Sequence, residues 1–144
     1  MSLYLDTSAL IKLVVEEPGS DVANQAYDSF PVASTSAIAY LEATSALARM
    51  NKGRRLSSQA YRAALRDRDE LWDELQIHAV TDSLIATASR AAIGEHTLRA
   101  YDCLHLATIA TFADADRVTV ACWDRDLREA VREHGFALIP ERLG

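Results

Sequence analysis

Short apolar runs bounded by turn residues alternate along this chain with longer stretches in which apolar residues return every three or four positions. Leu3–Leu5 is a short run that stops at Asp6, and Thr7 or Ser8 is placed to cap a helix reaching about Glu17, where Pro18-Gly19 ends it. Ser20 or Asp21 starts a second helix to about Ser29, and Pro31–Ser34 reads as a very short strand. Ser36 caps a helix to about Asn51, closed by Lys52-Gly53. Ser57 or Ser58 opens a long helix whose apolar stripe is Tyr61, Ala64, Leu65, Leu71, Trp72 and Leu75. Ile77–Val80 is a third strand, followed by a helix from Thr81 with Leu84, Ile85 and Ala88 on one face. A helix over about Ala100–Ala113, a strand at Val118–Cys122, a helix from Asp124 to His134 and a strand at Phe136–Ile139 complete the pattern. Strands separated by helices predict an α/β fold with a parallel sheet covered on both faces. In such sheets ligands bind beyond the carboxyl ends of the strands, so acids immediately after strands become the candidates for chemistry.

The length of 144 residues suits a single domain spanning 1–144, and 49% hydrophobic residues suffice for a core without staples. No apolar run approaches the ~20 residues of a membrane span. The start, Met1 to Asp6, lacks the basic then apolar pattern of a secretory leader. Cys103 and Cys122 lie in apolar surroundings without metal-binding or redox spacing, and buried free thiols in a reducing cytoplasm are expected. A formal charge of −6 argues against binding nucleic acid by bulk electrostatics. It is compatible with acids gathered around metal ions, whose charge cancels part of theirs.

Asp6 directly follows the first strand, where it can cap the next helix or face a site. Glu42 is the only acid between Pro31 and Asn51, on a helix that is apolar or small on nearly every side. A carboxylate there needs a cation or hydrogen-bond donors, and Arg49, on the same face, is the structural alternative to a site. Asp102 sits in the first turn of another apolar helix beside His105; the helix dipole alone would favour it there. Asp124 repeats the placement of Asp6 after the strand Val118–Cys122, with Asp126 as an alternative or addition. Two acids at strand ends and two on inward helix faces can converge on one crevice. Oxygen ligands in that number select Mg²⁺ or Mn²⁺ over zinc. The chain has no HExxH, no P-loop and no GxSxG. An acid cluster with open metal positions suits hydrolysis of a phosphodiester.

Four stretches resemble the PIN-domain family and, within it, the VapC-type toxins: Tyr4-Leu5-Asp6-Thr7-Ser8-Ala9-Leu10-Ile11-Lys12-Leu13, Leu41-Glu42, Leu98-Arg99-Ala100-Tyr101-Asp102-Cys103-Leu104-His105-Leu106-Ala107 and Trp123-Asp124-Arg125-Asp126-Leu127. The resemblance covers nearly the whole chain. It implies a PIN-like fold, a five-stranded parallel sheet of order 3-2-1-4-5 with helices on both faces. It implies an acidic quartet of Asp6, Glu42, Asp102 and Asp124, with Asp6 and Asp102 the more direct metal ligands. Ser8, Arg99 and Asp126 are accessory candidates. Cys122 departs from the Ser or Thr that the family often carries two residues before the fourth acid, which puts a hydrogen bond near Asp124 in doubt. His105 is expected as a structural hydrogen-bond partner.

The implied function is an Mg²⁺- or Mn²⁺-dependent endoribonuclease, the toxin of a type II toxin–antitoxin system, leaving 5′-phosphate and 3′-hydroxyl ends. Two alternatives stand beside it: a housekeeping PIN nuclease of RNA processing, and a catalytically spent module acting as a repressor with its antitoxin. The expected partners are an RNA substrate, a VapB-like antitoxin that places a basic side chain among the acids, and a second copy of the chain; no membrane is expected. The dimer is argued from Tyr40, Leu47 and Met50, which exceed what a small sheet can cover. Arg49, Lys52, Arg54, Arg55 and Arg99 are candidate RNA contacts.

Overall fold

The computed structural model describes residues 1–144. Five strands, β1 (Ser2–Leu5), β2 (Ala33–Ser36), β3 (Gln76–His78), β4 (Val118–Ala121) and β5 (Ala137–Ile139), form one parallel sheet in the order β3-β2-β1-β4-β5. Seven helices connect and cover them: α1 (Thr7–Val14), α2 (Ser20–Ser29), α3 (Ile38–Lys52), α4 (Ser58–Glu74), α5 (Asp82–Ala92), α6 (Ala100–Ala110) and α7 (Arg125–Glu133). This is the expected architecture and strand order. No helix is long and apolar enough to cross a membrane.

Alternation along β1 divides the core. Leu3 and Leu5 face α1, α3 and α4, where Leu10, Ala43, Leu47 and Ala64 pack on them. Tyr4 faces the other way, toward Ile109, Val120, Leu127 and Val131 of α6, β4 and α7. A smaller cluster, including Leu84, Ala88 and Ala107, joins α5 to α6. Strand β1 is thus the centre of the sheet, and the residues after its carboxyl end are held from both sides.

Several boundaries differ from expectation. Helix α1 stops at Val14 instead of near Glu17, because the buried Ser20 hydroxyl donates to Val15 O and accepts from the Glu17 amide, drawing the chain out of the helix. The cap of α1 is Asp6, and that of α3 is Ala37, with the Ser36 hydroxyl accepting from Ile38 N at 3.3 Å. Strand β2 lies at Ala33–Ser36, two residues beyond Pro31–Ser34, since Leu3 pairs with Ala33 and Tyr4 with Ser34. Its polar residues are fully enclosed, and Thr35 Oγ1 donates to Leu5 O at 2.7 Å. Strand β3 begins at Gln76 and ends before Val80; as an edge strand it leaves Ile77 partly exposed. Ile85, placed on the buried face of α5, points to solvent. Helix α6 ends at Ala110, where Thr111 Oγ1 donates to Thr108 O. Ser57, Thr81 and Asp124 cap α4, α5 and α7 as side-chain acceptors, and Gly135 at φ 86° closes α7 in the left-handed conformation that suits glycine.

Of the residues that suggested a dimer, Leu47 is fully buried in the monomer and Met50 packs against the same core. Tyr40 is exposed and Met50 half-buried, while Met1, Leu41, Ile85 and Ile93 are more exposed still.

Candidate active site

A crevice of about 650 Å³ opens at the carboxyl ends of β1 and β4, and Asp6, Glu42, Asp102 and Asp124 all line it. Each acid comes from a different element: the residue after β1, the second turn of α3, the first turn of α6 and the cap of α7. The crossover at β1, from which the chain runs to β2 on one side and β4 pairs on the other, is the switch point of the sheet.

Asp6 is 3% exposed, and it both caps α1 and faces the crevice. Its Oδ1 accepts from Ala9 N at 2.9 Å and from Ser8 Oγ at 2.6 Å, and its Oδ2 accepts from Cys122 Sγ at 3.1 Å. Burial raises its pKa, against the opposing pull of His105 and these donors. Ser8 accepts in turn from Trp123 N at 2.8 Å, so it clamps the turn after β1 to the turn after β4. Cys122 therefore bonds to Asp6; toward Asp124 it reaches only the backbone carbonyl, at 3.6 Å. The departure from Ser or Thr bears on the first acid more than on the fourth. Burial, with the Asp6 charge adding to it, pushes the Cys122 thiol far up, so it serves as a neutral donor.

Glu42 does not pair with Arg49, which donates instead to Ser45 Oγ at 2.7 Å. Glu42 Oε1 accepts from Thr7 Oγ1 at 2.8 Å and lies 2.8 Å from His105 Nε2. A carboxylate can only accept, so Nε2 carries the hydrogen; in the neutral ring Nδ1 then accepts from Tyr4 OH, 2.7 Å away. His105 is 1% exposed, and the acid it reaches is Glu42 of α3 rather than Asp102, one turn before it on its own helix. The chain Tyr4–His105–Glu42 holds the acid of α3 from beneath.

Asp102 is 7% exposed. Burial raises its pKa to about 6, with repulsion from Asp124 and Asp6 adding to the effect and His105 opposing it. Asp124 is half-buried, and its Oδ1 accepts from Leu127 N at 2.9 Å. Asp126 is exposed on α7 and does not line the crevice. Arg99, the residue before α6, does line it; its guanidinium donates to Tyr101 OH at 2.6 Å. Tyr101 and the nearby Asp102 and Asp124 raise its pKa. Arg49 also reaches the crevice, whereas Lys52 at the end of α3 and Arg54 and Arg55 in the turn after it sit exposed, outside it.

Lys12, Thr7 and Tyr101 also line the crevice, beyond the residues that the sequence marks as site candidates. Thr7 and Lys12 lie in the first acid's own motif, so proximity to Asp6 was the available signal. Lys12 is tied to Glu17 at 2.8 Å and sits 5.2 Å from the centre of the Trp123 ring. No three His, Cys, Asp or Glu side chains converge closely enough to enclose a metal ion. The donor set is nevertheless carboxylate oxygen, two of its members are buried, and burial raises the pKa of both, with repulsion from Asp124 and Asp6 adding to it at Asp102, a cost that a cation would offset. The residues fit a hard divalent ion that keeps much of its water and takes one or two carboxylates.

The PIN domain model matches residues 3–132. Ribonuclease VapC49 of Mycobacterium tuberculosis is 32% identical over 141 residues, covering 98% of this chain and 96% of that protein. Among solved structures, VapC20 of Mycobacterium tuberculosis, described as a sarcin-ricin loop cleaving toxin, superposes with a TM-score of 0.67 at 19% identity, over 89% of this chain and 94% of that one. A toxin-antitoxin complex from Klebsiella pneumoniae gives a TM-score of 0.54 at 21% identity, over 88% of this chain and 89% of that one.

Proposed function

The chain belongs to the PIN-domain family, among its VapC-type members, and on that premise we propose that it is a divalent-metal-dependent endoribonuclease, the toxin of a toxin–antitoxin pair. One observation carries the reading: acids from four separate elements meet in a single crevice at the switch point of the sheet. Mg²⁺ or Mn²⁺ would be held by Asp6 and Asp102, with Glu42 and Asp124 acting partly through water. When bound, the ion supplies an activated water and neutralises charge on the phosphoryl group.

The chain's own residues supply position. Ser8 and the Ala9 amide hold Asp6 Oδ1, so its orientation is set before any ligand arrives. Thr7 and His105 hold Glu42 Oε1, and its second oxygen makes no hydrogen bond within the protein. Arg99, Arg49 and Lys12 stand around the acids as cations able to meet phosphate oxygens at the edge of the crevice. An antitoxin that inserts a guanidinium among the acids would replace the ion's charge and close the site. Tyr40 and Leu41, exposed neighbours on α3, support a homodimer, which light scattering at micromolar protein would test. The decisive experiment is cleavage of total RNA with end mapping by the pure protein, with and without Mg²⁺ and with its antitoxin added. Absence of any metal-stimulated cleavage would overturn the proposal.

A further inference from the structure

Four arginines converge on a second concavity, about 320 Å³, lined by Arg125, Arg128, Arg132 and Arg142 together with Glu129 and Glu141. The chain as a whole carries a charge of −6, so this concentration of cations stands out against its surroundings. Arg125, Arg128 and Arg132 fall at i, i+3 and i+7 of α7, one stripe about 10 Å long. None of the four makes an ion pair with any carboxylate, although two glutamates lie in the same hollow. Arg128 is 3% exposed and donates only to main-chain oxygens, Cys122 O at 2.8 Å and Glu141 O at 3.1 Å. Its positive charge is buried without a negative partner. Arg125, Arg132 and Arg142 are exposed.

The topology puts this hollow beside the crevice. All strands are parallel, so the segment after β5 emerges on the same rim as the turns after β1 and β4. Arg125 directly follows Asp124, and Arg128 holds the carbonyl of Cys122, whose thiol donates to Asp6. Consecutive residues, Asp124 and Arg125, thus line the crevice and the hollow. The crevice itself is poorly suited to gripping a polyanion. Its acids, Asp6, Glu17, Glu42, Asp102 and Asp124, outnumber its cations Lys12, Arg49 and Arg99. Affinity for a phosphate backbone, which comes mainly from cation contacts, must be supplied by a neighbouring surface.

We propose that the arginine concavity of α7 and the segment after β5 is a subsite for the phosphate backbone of the RNA, holding the strand beyond the scissile bond. The inference rests on the ribonuclease reading, and its test separates the two. Binding of a fluorescent 20-nucleotide oligouridine is measured in an Asp102→Asn background, where the strand stays whole. With Arg132→Gln and Arg142→Gln added, Kd rises about tenfold near 0.1 M salt, and the slope of log K against log salt becomes shallower by roughly 1 to 1.5, the value for two lost single-strand contacts. The Lys pair at the same positions keeps most of the affinity, and Glu129→Gln tightens binding. Thermal melting shows that the exposed substitutions leave the fold intact. Unchanged Kd and slope in the Gln pair would overturn the subsite. So would polyglutamate competing as well as oligouridine for the parent and losing that ability with the Gln pair, which would assign the hollow to an acidic protein segment. Arginine-dependent oligouridine binding by a chain that, in its natural sequence, cleaves no RNA in Mg²⁺ would keep the subsite and sink the ribonuclease reading.

Discussion

Helix α3 contributes to two charged clusters, and they are built on opposite principles. Toward α4, Tyr40 and Thr44 receive the guanidinium of Arg68, which is 6% exposed. It lies 4.0 Å from the centre of the Tyr40 ring, donates to Thr44 Oγ1 and Tyr40 OH, and pairs with Asp69 Oδ1 at 2.9 Å. Each of its three nitrogens finds a partner, and the cluster fastens α3 to α4. Toward the crevice, the same helix offers Glu42 to Asp6, Asp102 and Asp124, and no lysine or arginine pairs with any of the four. Hydrogen bonds orient these acids, but Asp102 is left with its pKa pushed up to about 6 by burial and by its acidic neighbours. Matched charge serves stability, and unmatched charge is a stored cost that a ligand can relieve.

The largest effect that this contrast predicts is on activity. Asp102→Asn or Asp6→Asn removes a proposed charged oxygen ligand, and RNA cleavage should fall at least about 1,000-fold while the metal-free protein melts no lower than the parent. Glu42→Gln should lose activity as well, since Thr7 and His105, rather than Arg49, hold Glu42. Full activity in the Asp6 and Asp102 variants would break the comparison at its root.

Next comes pH. The folded Asp102 holds its proton up to about 6, above the ordinary 3.8, so between those values the folded state binds a proton that the unfolded state has released. Stability of the metal-free protein therefore falls as pH rises through that window, by roughly 2 to 3 kcal/mol, with Asp6 acting in the same direction. Urea denaturation at pH 5 and 7.5 should show half of it, about 1.4 kcal/mol, millimolar Mg²⁺ should shrink it, and Asp102→Asn should remove most of it. A metal-free protein equally stable at both pH values would contradict the unmatched-charge account.

A smaller effect is expected at the matched cluster. Arg68→Met should cost about 1 to 2 kcal/mol, from lost hydrogen bonds and the cation–π contact, and leave RNA cleavage within about twofold. A loss of cleavage comparable to that of Asp102→Asn would mean that the two clusters are coupled through α3. Smallest is Cys122→Ser, which keeps a donor on Asp6 Oδ2; melting and Mg²⁺ affinity should shift by less than about 1 kcal/mol. Cys122→Ala, which removes the donor, should weaken Mg²⁺ binding more than the Ser variant does.

Much of this molecule is legible in its sequence. The alternation of apolar runs with helical periods predicts all five strands, and family resemblance supplies their order. Asp6 and Asp124 are marked by their place after strands, and Glu42 by its isolation on an apolar helix. The strand at Ala33–Ser36 is misplaced by its hydropathy because its sequence is polar: Ser34, Thr35 and Ser36 are buried by the sheet's neighbours, not by their own character. Leu47 and Met50 look like an interface because a linear pattern cannot show that α4 folds back over them.

Local sequence alone determined the elements that depend on near neighbours: the caps at Ser57, Thr81 and Asp124, the apolar stripe of α4, and the acids at strand ends. The tertiary structure alone decided who meets whom. Glu42 took His105, 63 residues away, over Arg49 on its own helix; Cys122 took Asp6, 116 residues away, over the nearby carboxyl of Asp124; and four arginines from α7 and the chain end gathered beside the acids. The physical reason is the same in each case. Capping and periodicity are set within a turn or two of chain, whereas the partners of a buried polar group are whichever donors and charges the packed layers bring within about 3 Å.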